Sequence, residues 1–138
     1  MPLKTLLPFA AFLGPMVLFA CAVPSMPEAP EGAALFAENC VACHGGSGTG
    51  DGPAASGFVQ KPADLTQISA RYDGAFPTAQ VLSQIDGYAR QGHAGRAMPE
   101  FGEALGGDLV PIDVDGVATP TPRALAALLE YLQSIQQL

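Results

Sequence analysis

The chain has 138 residues, enough for one domain and a targeting segment. Its formal net charge is −7, and all thirteen of its carboxylates come after residue 27. Such an acidic chain is poorly suited to bind nucleic acid. Glycine (16) and proline (13) are frequent, which predicts long ordered loops between a few helices, and therefore a thin apolar core.

The first twenty residues have the pattern of a secretory leader. Lys4 supplies a positive charge at the start, and residues 6–20 form an apolar run of 15 residues. A transmembrane helix needs about 20 apolar residues, and Pro8 and Pro15 interrupt this run. We therefore interpret residues 1–20 as a signal peptide and not as a membrane span.

The end of this leader predicts a lipid anchor. Leu18-Phe19-Ala20-Cys21 resembles the lipobox of bacterial lipoproteins, in which the cysteine is lipidated and becomes the first residue of the mature chain. Lipidation of Cys21 would also account for a third cysteine that is otherwise an exposed thiol in an oxidising compartment. The alternative is ordinary cleavage after Ala20 or Ala22, which would release a soluble periplasmic protein.

A tether and a first helix follow the leader. Residues 21–30 contain three prolines and predict a short extended tether, so that the domain itself is expected over residues 31–138. Alanines and early carboxylates favour a helix over residues 31–39. Leu35 and Phe36 lie on the side of this helix that leads to Cys40.

The sequence Cys40-Val41-Ala42-Cys43-His44 is typical of a c-type haem attachment site. Its two thiols can reach both vinyl groups of one porphyrin, and His44 can ligate the iron from the same side. A redox-active Cys40–Cys43 disulfide, a zinc site and chance occurrence are the alternatives. Zinc normally needs four ligands, and apart from Cys21 at the end of the leader the chain has only two cysteines and two histidines. One covalent haem would also fill the thin core.

A glycine-rich loop over residues 45–57 follows the motif. It lacks the Lys-Ser/Thr ending of a phosphate-binding loop, and Asp51 is its only carboxylate, which disfavours calcium. We expect this loop to fold closely around the proximal side of the haem. Pro53 is the candidate to place its carbonyl against the outer nitrogen of His44 and so to fix the ring.

Four further elements are predicted after the glycine-rich loop. Short helices begin near Pro62 and Phe76, and a small hairpin is expected over residues 109–119 around Asp115-Gly116. A last helix runs to residue 137 with no helix breaker from residue 123 onward, and Thr121 is its predicted N-cap with Pro122 in the first helical position. Its apolar stripe consists of Leu125, Leu128, Leu129, Leu132 and Ile135.

The loop before residue 99 supplies the candidate sixth ligand. Met98 is the only methionine after the tether, and Pro99 would stiffen the chain beside it. A methionine that fills a gap in the core is the alternative. His93 is a competing ligand, or else a solvated surface residue. Arg96, and less so Arg90, is a candidate contact for a haem propionate, although either side chain could equally face solvent.

Together these segments resemble the class I monohaem cytochromes c of bacteria. The resemblance covers residues 31–138 and rests on Gly-x-x-Leu-Phe-x-x-x-Cys-x-x-Cys-His-Gly at 32–45, Gly-Asp-Gly-Pro-Ala at 50–54, Pro-Ala-Asp-Leu-Thr at 62–66 and Met-Pro-x-Phe-Gly at 98–102. It implies an all-α fold of few helices and long loops wrapped around one covalently bound haem c. It further implies His44 and Met98 as axial ligands, and contact of Gly32 and Phe36 with Leu128 and Tyr131. Residues 106–120 depart from compact members of the family.

The function expected from these motifs is electron transfer and not catalysis. The chain would be a periplasm-facing carrier, tethered to a membrane through Cys21, that exchanges single electrons with redox proteins. Its acidic surface would suit partners with basic docking surfaces, or would simply keep the protein soluble. The alternatives are an electron-accepting subunit of a dehydrogenase or oxidase complex, in which residues 106–120 contact the catalytic partner, and a haem enzyme or gas sensor with an open iron site.

Overall fold

The structure is a computed structural model that describes residues 25–88 and 98–137. Several predictions lie outside these residues: the signal peptide at residues 1–20, the anchor at Cys21, and the candidates Arg90, His93 and Arg96. Within the described residues, no helix combines the length and the apolar character needed to cross a membrane.

Four helices and one hairpin make up the regular structure of the described residues. They are α1 (Ala29–Asn39), α2 (Val41–His44), α3 (Thr78–Asp86), β1 (Leu109–Val114), β2 (Val117–Pro122) and α4 (Arg123–Ser134). Three short 3₁₀ segments lie between α2 and α3, at Ala55–Gly57, Leu65–Gln67 and Ser69–Tyr72.

The domain begins two residues earlier than predicted. Helix α1 starts at Ala29, with Glu28 as its N-cap residue and Pro30 in its first turn. Proline is tolerated there because the first N–H groups of a helix have no partner within the helix. Pro27 is already buried, so that the last part of the predicted tether packs on the domain.

The predicted hairpin is confirmed, and it makes the all-α expectation incomplete. The two strands pair antiparallel from Leu109 with Pro122 to Val114 with Val117. Asp115 and Gly116 connect them with φ values of 53° and 84°, as a type I′ turn requires. The fold is therefore helical with one small two-stranded sheet.

The start of α4 also differs from the prediction. Thr121 does not cap the helix, because it is buried in β2 and its hydroxyl donates to the Thr119 carbonyl at 3.1 Å. The N-cap residue is Pro122. The N–H of Arg123 donates to the Asp108 carbonyl at 2.8 Å, so that the residue preceding β1 satisfies the first free amide of α4.

The core is centred on the crossing of α1 and α4, which is the most extensive helix contact in the described residues. A Cβ atom on Gly32 would collide with the Ala127 carbonyl oxygen and lie 2.8 Å from the Cβ of Tyr131. The rings of Phe36 and Tyr131 have their centroids 5.1 Å apart. Leu128 is 1% exposed beside them. This confirms the helix contact that the family resemblance implied.

Replacement of Gly32 by alanine is expected to destabilise the fold. The added methyl group must push α4 away from α1, and overpacking of this kind typically costs about 1–3 kcal/mol. Denaturant unfolding followed by circular dichroism measures the loss. Gly57→Ala is the matched control, because a Cβ there meets nothing within 4 Å. Equal unfolding midpoints for the two variants would contradict the close approach at Gly32.

Candidate functional site

A cleft of about 710 Å³ opens between the end of α1, residues 63–72, helix α3 and helix α4. Its volume is within the range of pockets that bind small molecules and cofactors. Its walls are mainly apolar side chains that also belong to the core: Phe36, Leu65, Ile68, Val81, Ile85, Leu128 and Leu132. The folded chain therefore has a large apolar space where the sequence predicts a porphyrin.

Three of the predicted site residues line this one cleft. They are Cys40 and His44 from the haem motif and Met98 from a segment more than fifty residues later in the chain. Cys43 is half-buried but is not among the residues that line the cleft. In the short helix α2 the N–H groups of Cys43 and His44 both donate to the Cys40 carbonyl, at 3.1 and 2.9 Å. The motif is thus wound into one helical turn at the mouth of the cleft.

The imidazole of His44 is fixed by a backbone carbonyl, but not by that of Pro53. Its Nδ1 lies 3.0 Å from the Ala63 oxygen. Because a carbonyl oxygen can only accept, Nδ1 carries the proton in this contact and Nε2 keeps a free lone pair. This is the tautomer that a metal-ligating histidine needs. The prediction of Pro53 as the supporting residue is wrong.

The reason lies in how the glycine-rich loop runs. Residues 50–54 pass along the carbonyl end of α2 and provide donors for three carbonyls that have no partner within that helix. The bonds are Gly50 N to His44 O at 2.8 Å, Gly52 N to Cys43 O at 3.1 Å and Ala54 N to Ala42 O at 2.8 Å. Pro53 is therefore held beside the backbone of α2, and the chain reaches the imidazole ten residues later.

Glycine is required at two points of this loop. Gly50 has φ +77°, and a Cβ atom there would collide with the Pro62 carbonyl oxygen. At Gly52 a Cβ atom would lie 2.5 Å from the carbonyl oxygens of Val41 and Ala42. Because neither position carries a side chain, the loop can pack directly against the backbone of neighbouring segments. The contact at Gly50 also holds residues 62 and 63 beside His44.

The raised pKa of the Cys40 thiol does not suit a redox-active cysteine pair. Cys40 and Cys43 are not bonded to each other. Burial raises the pKa of the Cys40 thiol to about 11, with a smaller contribution from Cys43. Cysteines that act in disulfide exchange need a lowered pKa so that the thiolate forms near neutral pH. This disfavours the disulfide alternative. Within the described residues no three His, Cys, Asp or Glu side chains cluster as a zinc site would need.

Met98 is placed where it can serve both as a ligand and as a packing group. Its half-buried side chain contacts the core cluster and lines the cleft that His44 also lines. The Nε2 of Gln84 donates to the Met98 sulfur at 3.8 Å, which orients the thioether. The assignment of Met98 as the sixth ligand stays a prediction, and the position of the side chain fits it.

Sequence reasoning missed two kinds of site residue. Ala63 acts through its backbone, and Arg71, Tyr72 and Tyr88 line the cleft from segments where no motif was recognised. Among the described residues that line the cleft, Arg71 is the one arginine or lysine. Its Nη2 donates to the Asp64 carbonyl at 3.0 Å. Arg71 lies in the 3₁₀ segment Ser69–Tyr72, which no sequence motif marks. The donors and walls of the cleft fit a haem, and Arg71 would lie near its charged groups.

The comparisons with known proteins agree with this geometry. A family model described as Cytochrome c matches residues 29–136, which is most of the chain. Searches of curated proteins and of solved structures each returned no significant match. The matched region begins at the first residue of α1 and includes the motif, the cleft and α4.

Replacement of Arg71 by glutamine is expected to lower the midpoint potential of the bound haem. The guanidinium lines the cleft, although Arg71 is an exposed residue, and a nearby positive charge favours the iron state that has gained an electron. A spectroelectrochemical titration measures the shift. Lys61→Gln is the matched control, because it removes the same charge from an exposed position that does not line the cleft. A shift no larger than that of the control would remove Arg71 from the site.

Proposed function

Because the chain belongs to the cytochrome c family, we propose that it carries single electrons between redox proteins, with His44 and Met98 as the axial ligands of its haem. The chain binds one haem c covalently, as the family does. The observation that carries the proposal is that the motif residues Cys40 and His44 line one apolar cleft together with Met98, which is distant in the sequence. Members of this family are typically electron carriers and not enzymes.

The haem supplies the reversible one-electron couple of its iron, and the chain supplies the setting. The Ala63 carbonyl holds the His44 ring in one tautomer and one orientation. The contacts of Met98 with the core and with Gln84 limit the movement of its thioether. Two ligands that stay in place in both oxidation states keep the structural change on electron transfer small. The apolar walls exclude water and favour the form with less net charge at the iron.

We place the carrier in the periplasm, anchored to a membrane by lipid on Cys21. The leader over residues 1–20 and the lipobox-like sequence support this location. Without Lys4, five basic side chains stand against thirteen carboxylates, a formal charge of −8. That charge supports redox partners with basic docking surfaces, whose encounter would be fastest at low ionic strength.

The second candidate is an electron-accepting subunit of a dehydrogenase or oxidase complex. The hairpin favours it, because Leu109 is 62% and Val117 is 64% exposed on a segment that lines no part of the haem cleft. A haem enzyme or gas sensor would need an open iron position, and the place of Met98 in the cleft argues against one. A stable complex isolated from native membranes would favour the subunit over the free carrier.

Replacement of Met98 by alanine tests the proposed ligand. We expect loss of the near-infrared charge-transfer band of the ferric protein and a lower midpoint potential, because the thioether favours ferrous iron. Absorption spectra and a redox titration give both values. Met26→Ala is the control, since Met26 is 48% exposed and does not line the cleft. If Met98→Ala keeps the band and the potential, Met98 is not the ligand and the carrier mechanism proposed here fails.

Replacement of Cys21 by serine tests the anchor. The variant cannot accept a lipid at this position, so we expect the protein to move from the membrane fraction to the soluble periplasmic fraction with its haem spectrum unchanged. Fractionation and the intact mass of the mature protein measure this. Retention of the serine variant on membranes would show that another segment or partner holds it there.

A further inference from the structure

Arg123 binds the first described residues of the chain to the start of α4. Its Nη1 donates to the Ser25 carbonyl at 2.6 Å. Its Nε and Nη2 donate to the two carboxylate oxygens of Glu31, at 3.0 and 2.8 Å. A planar guanidinium engaged by a bidentate carboxylate is held in one orientation. It can therefore hold the Ser25 carbonyl at a fixed place, although Arg123 and Glu31 are both partly exposed.

The chain between these contacts is also fixed. Pro27 is buried, and the Glu28 carbonyl accepts the N–H groups of Glu31 and Gly32 at 3.0 and 3.3 Å. Residues 25–28 therefore lie against the domain instead of forming a free linker. The point at which the tether leaves the domain is Ser25, beside the first turns of both α1 and α4.

This exit point is at the end of α1 opposite the haem motif. Helix α1 has 11 residues, so its two ends are about 16 Å apart, and Cys40 follows its far end. The base of the hairpin is at the exit end, since Asp108 lines a shallow cleft with Glu31 and Arg123. No residue of β1 or β2 lines the haem cleft.

We propose that the Arg123 contact with Ser25 gives the anchored domain one orientation on the bilayer, with the hairpin base toward the lipid surface and the haem cleft away from it. This inference rests on the lipid anchor at Cys21 proposed above. Four residue steps separate Cys21 from Ser25, and they span at most about 14 Å. This reach is shorter than the diameter of a domain of this size, which has a radius of gyration of about 13 Å.

Release of Ser25 would remove the constraint. The free chain would then run from Cys21 to Glu28, seven steps with a reach of about 25 Å, which is enough for the domain to turn its other faces toward the membrane. Electrostatic adsorption to the bilayer cannot supply the same orientation. Asp108 is exposed at the base of the hairpin, and Asp113 and Asp115 are exposed at its turn end. The cation at the exit point, Arg123, is paired with Glu31, so anionic lipids would repel the hairpin and gain little from Arg123.

The experiment uses the full lipidated holoprotein in phosphatidylcholine vesicles that contain a nickel-chelating lipid. A nitroxide label is placed on Asp108→Cys at the hairpin base or on Ser56→Cys, an exposed position in the 3₁₀ segment that contacts α2 at the motif end of the domain. Nickel at the bilayer surface accelerates the relaxation of nearby nitroxides, and vesicles without nickel give the baseline for the haem contribution. We expect a larger acceleration at position 108 than at position 56.

Two variants remove the orientation in different ways. Arg123→Gln should lose most of the difference between the two labels, and insertion of about ten Gly-Ser residues between Pro24 and Ser25 should do the same with Arg123 intact. Lys61→Gln, which removes an exposed charge elsewhere, should keep the difference. Haem absorption and helical circular dichroism verify that each variant is folded, and the insertion still decides the question if Arg123→Gln does not fold.

The outcomes separate the anchor from the orientation. If the intact mass shows no lipid on Cys21, the anchor and the orientation fail together. If lipid is present but the two labels relax equally, or the label at position 56 relaxes faster, only the orientation is overturned. An Arg123→Gln protein that is lipidated, folded and still oriented would overturn the role of Arg123. The proposal is supported if the two labels differ in the unaltered protein and in Lys61→Gln, and if Arg123→Gln and the insertion each abolish that difference.

Discussion

The close approach of α1 and α4 at Gly32 is the constraint on which the site depends. With no side chain at Gly32, the Ala127 carbonyl can lie against the backbone of α1, and Phe36 can pack on Tyr131. This crossing sets the distance between Cys40 at the end of α1 and Leu128 on α4, which stand on two sides of the cleft. A wider crossing would separate the attachment motif from the apolar wall that must cover the porphyrin.

The hydrogen bonds that support α2 and the His44 ring come mainly from backbone groups. Peptide N–H groups of the glycine-rich loop pair with the carbonyls at the end of α2, and the Ala63 carbonyl fixes His44. Main-chain groups are well suited to this task because their positions follow from the fold and do not depend on a flexible side chain. The same feature explains why two glycines, Gly50 and Gly52, are needed where the loop approaches other backbone.

In the proposed anchored carrier, the two ends of α1 have different tasks. At one end Arg123 and Glu31 hold the exit of the tether; at the other end the motif and the cleft hold the cofactor. Because helix α1 joins these two ends, a contact at the exit of the tether can fix the orientation of the haem cleft from a distance. The base of the hairpin lies at the exit end, and its strands carry the exposed side chains of Leu109 and Val117 without lining the haem cleft.

The sequence by itself determined the chemistry, because haem attachment needs Cys40, Cys43 and His44 within five consecutive residues, and local spacing is visible without a fold. It also determined the α4 stripe and the hairpin turn, since periodicity and an Asp-Gly pair act locally. Only the tertiary structure decided which carbonyl supports His44, that Arg71 enters the cleft, and that Arg123 reaches Ser25. These contacts join residues far apart in the chain, and Ala63 acts through a backbone group that every residue shares.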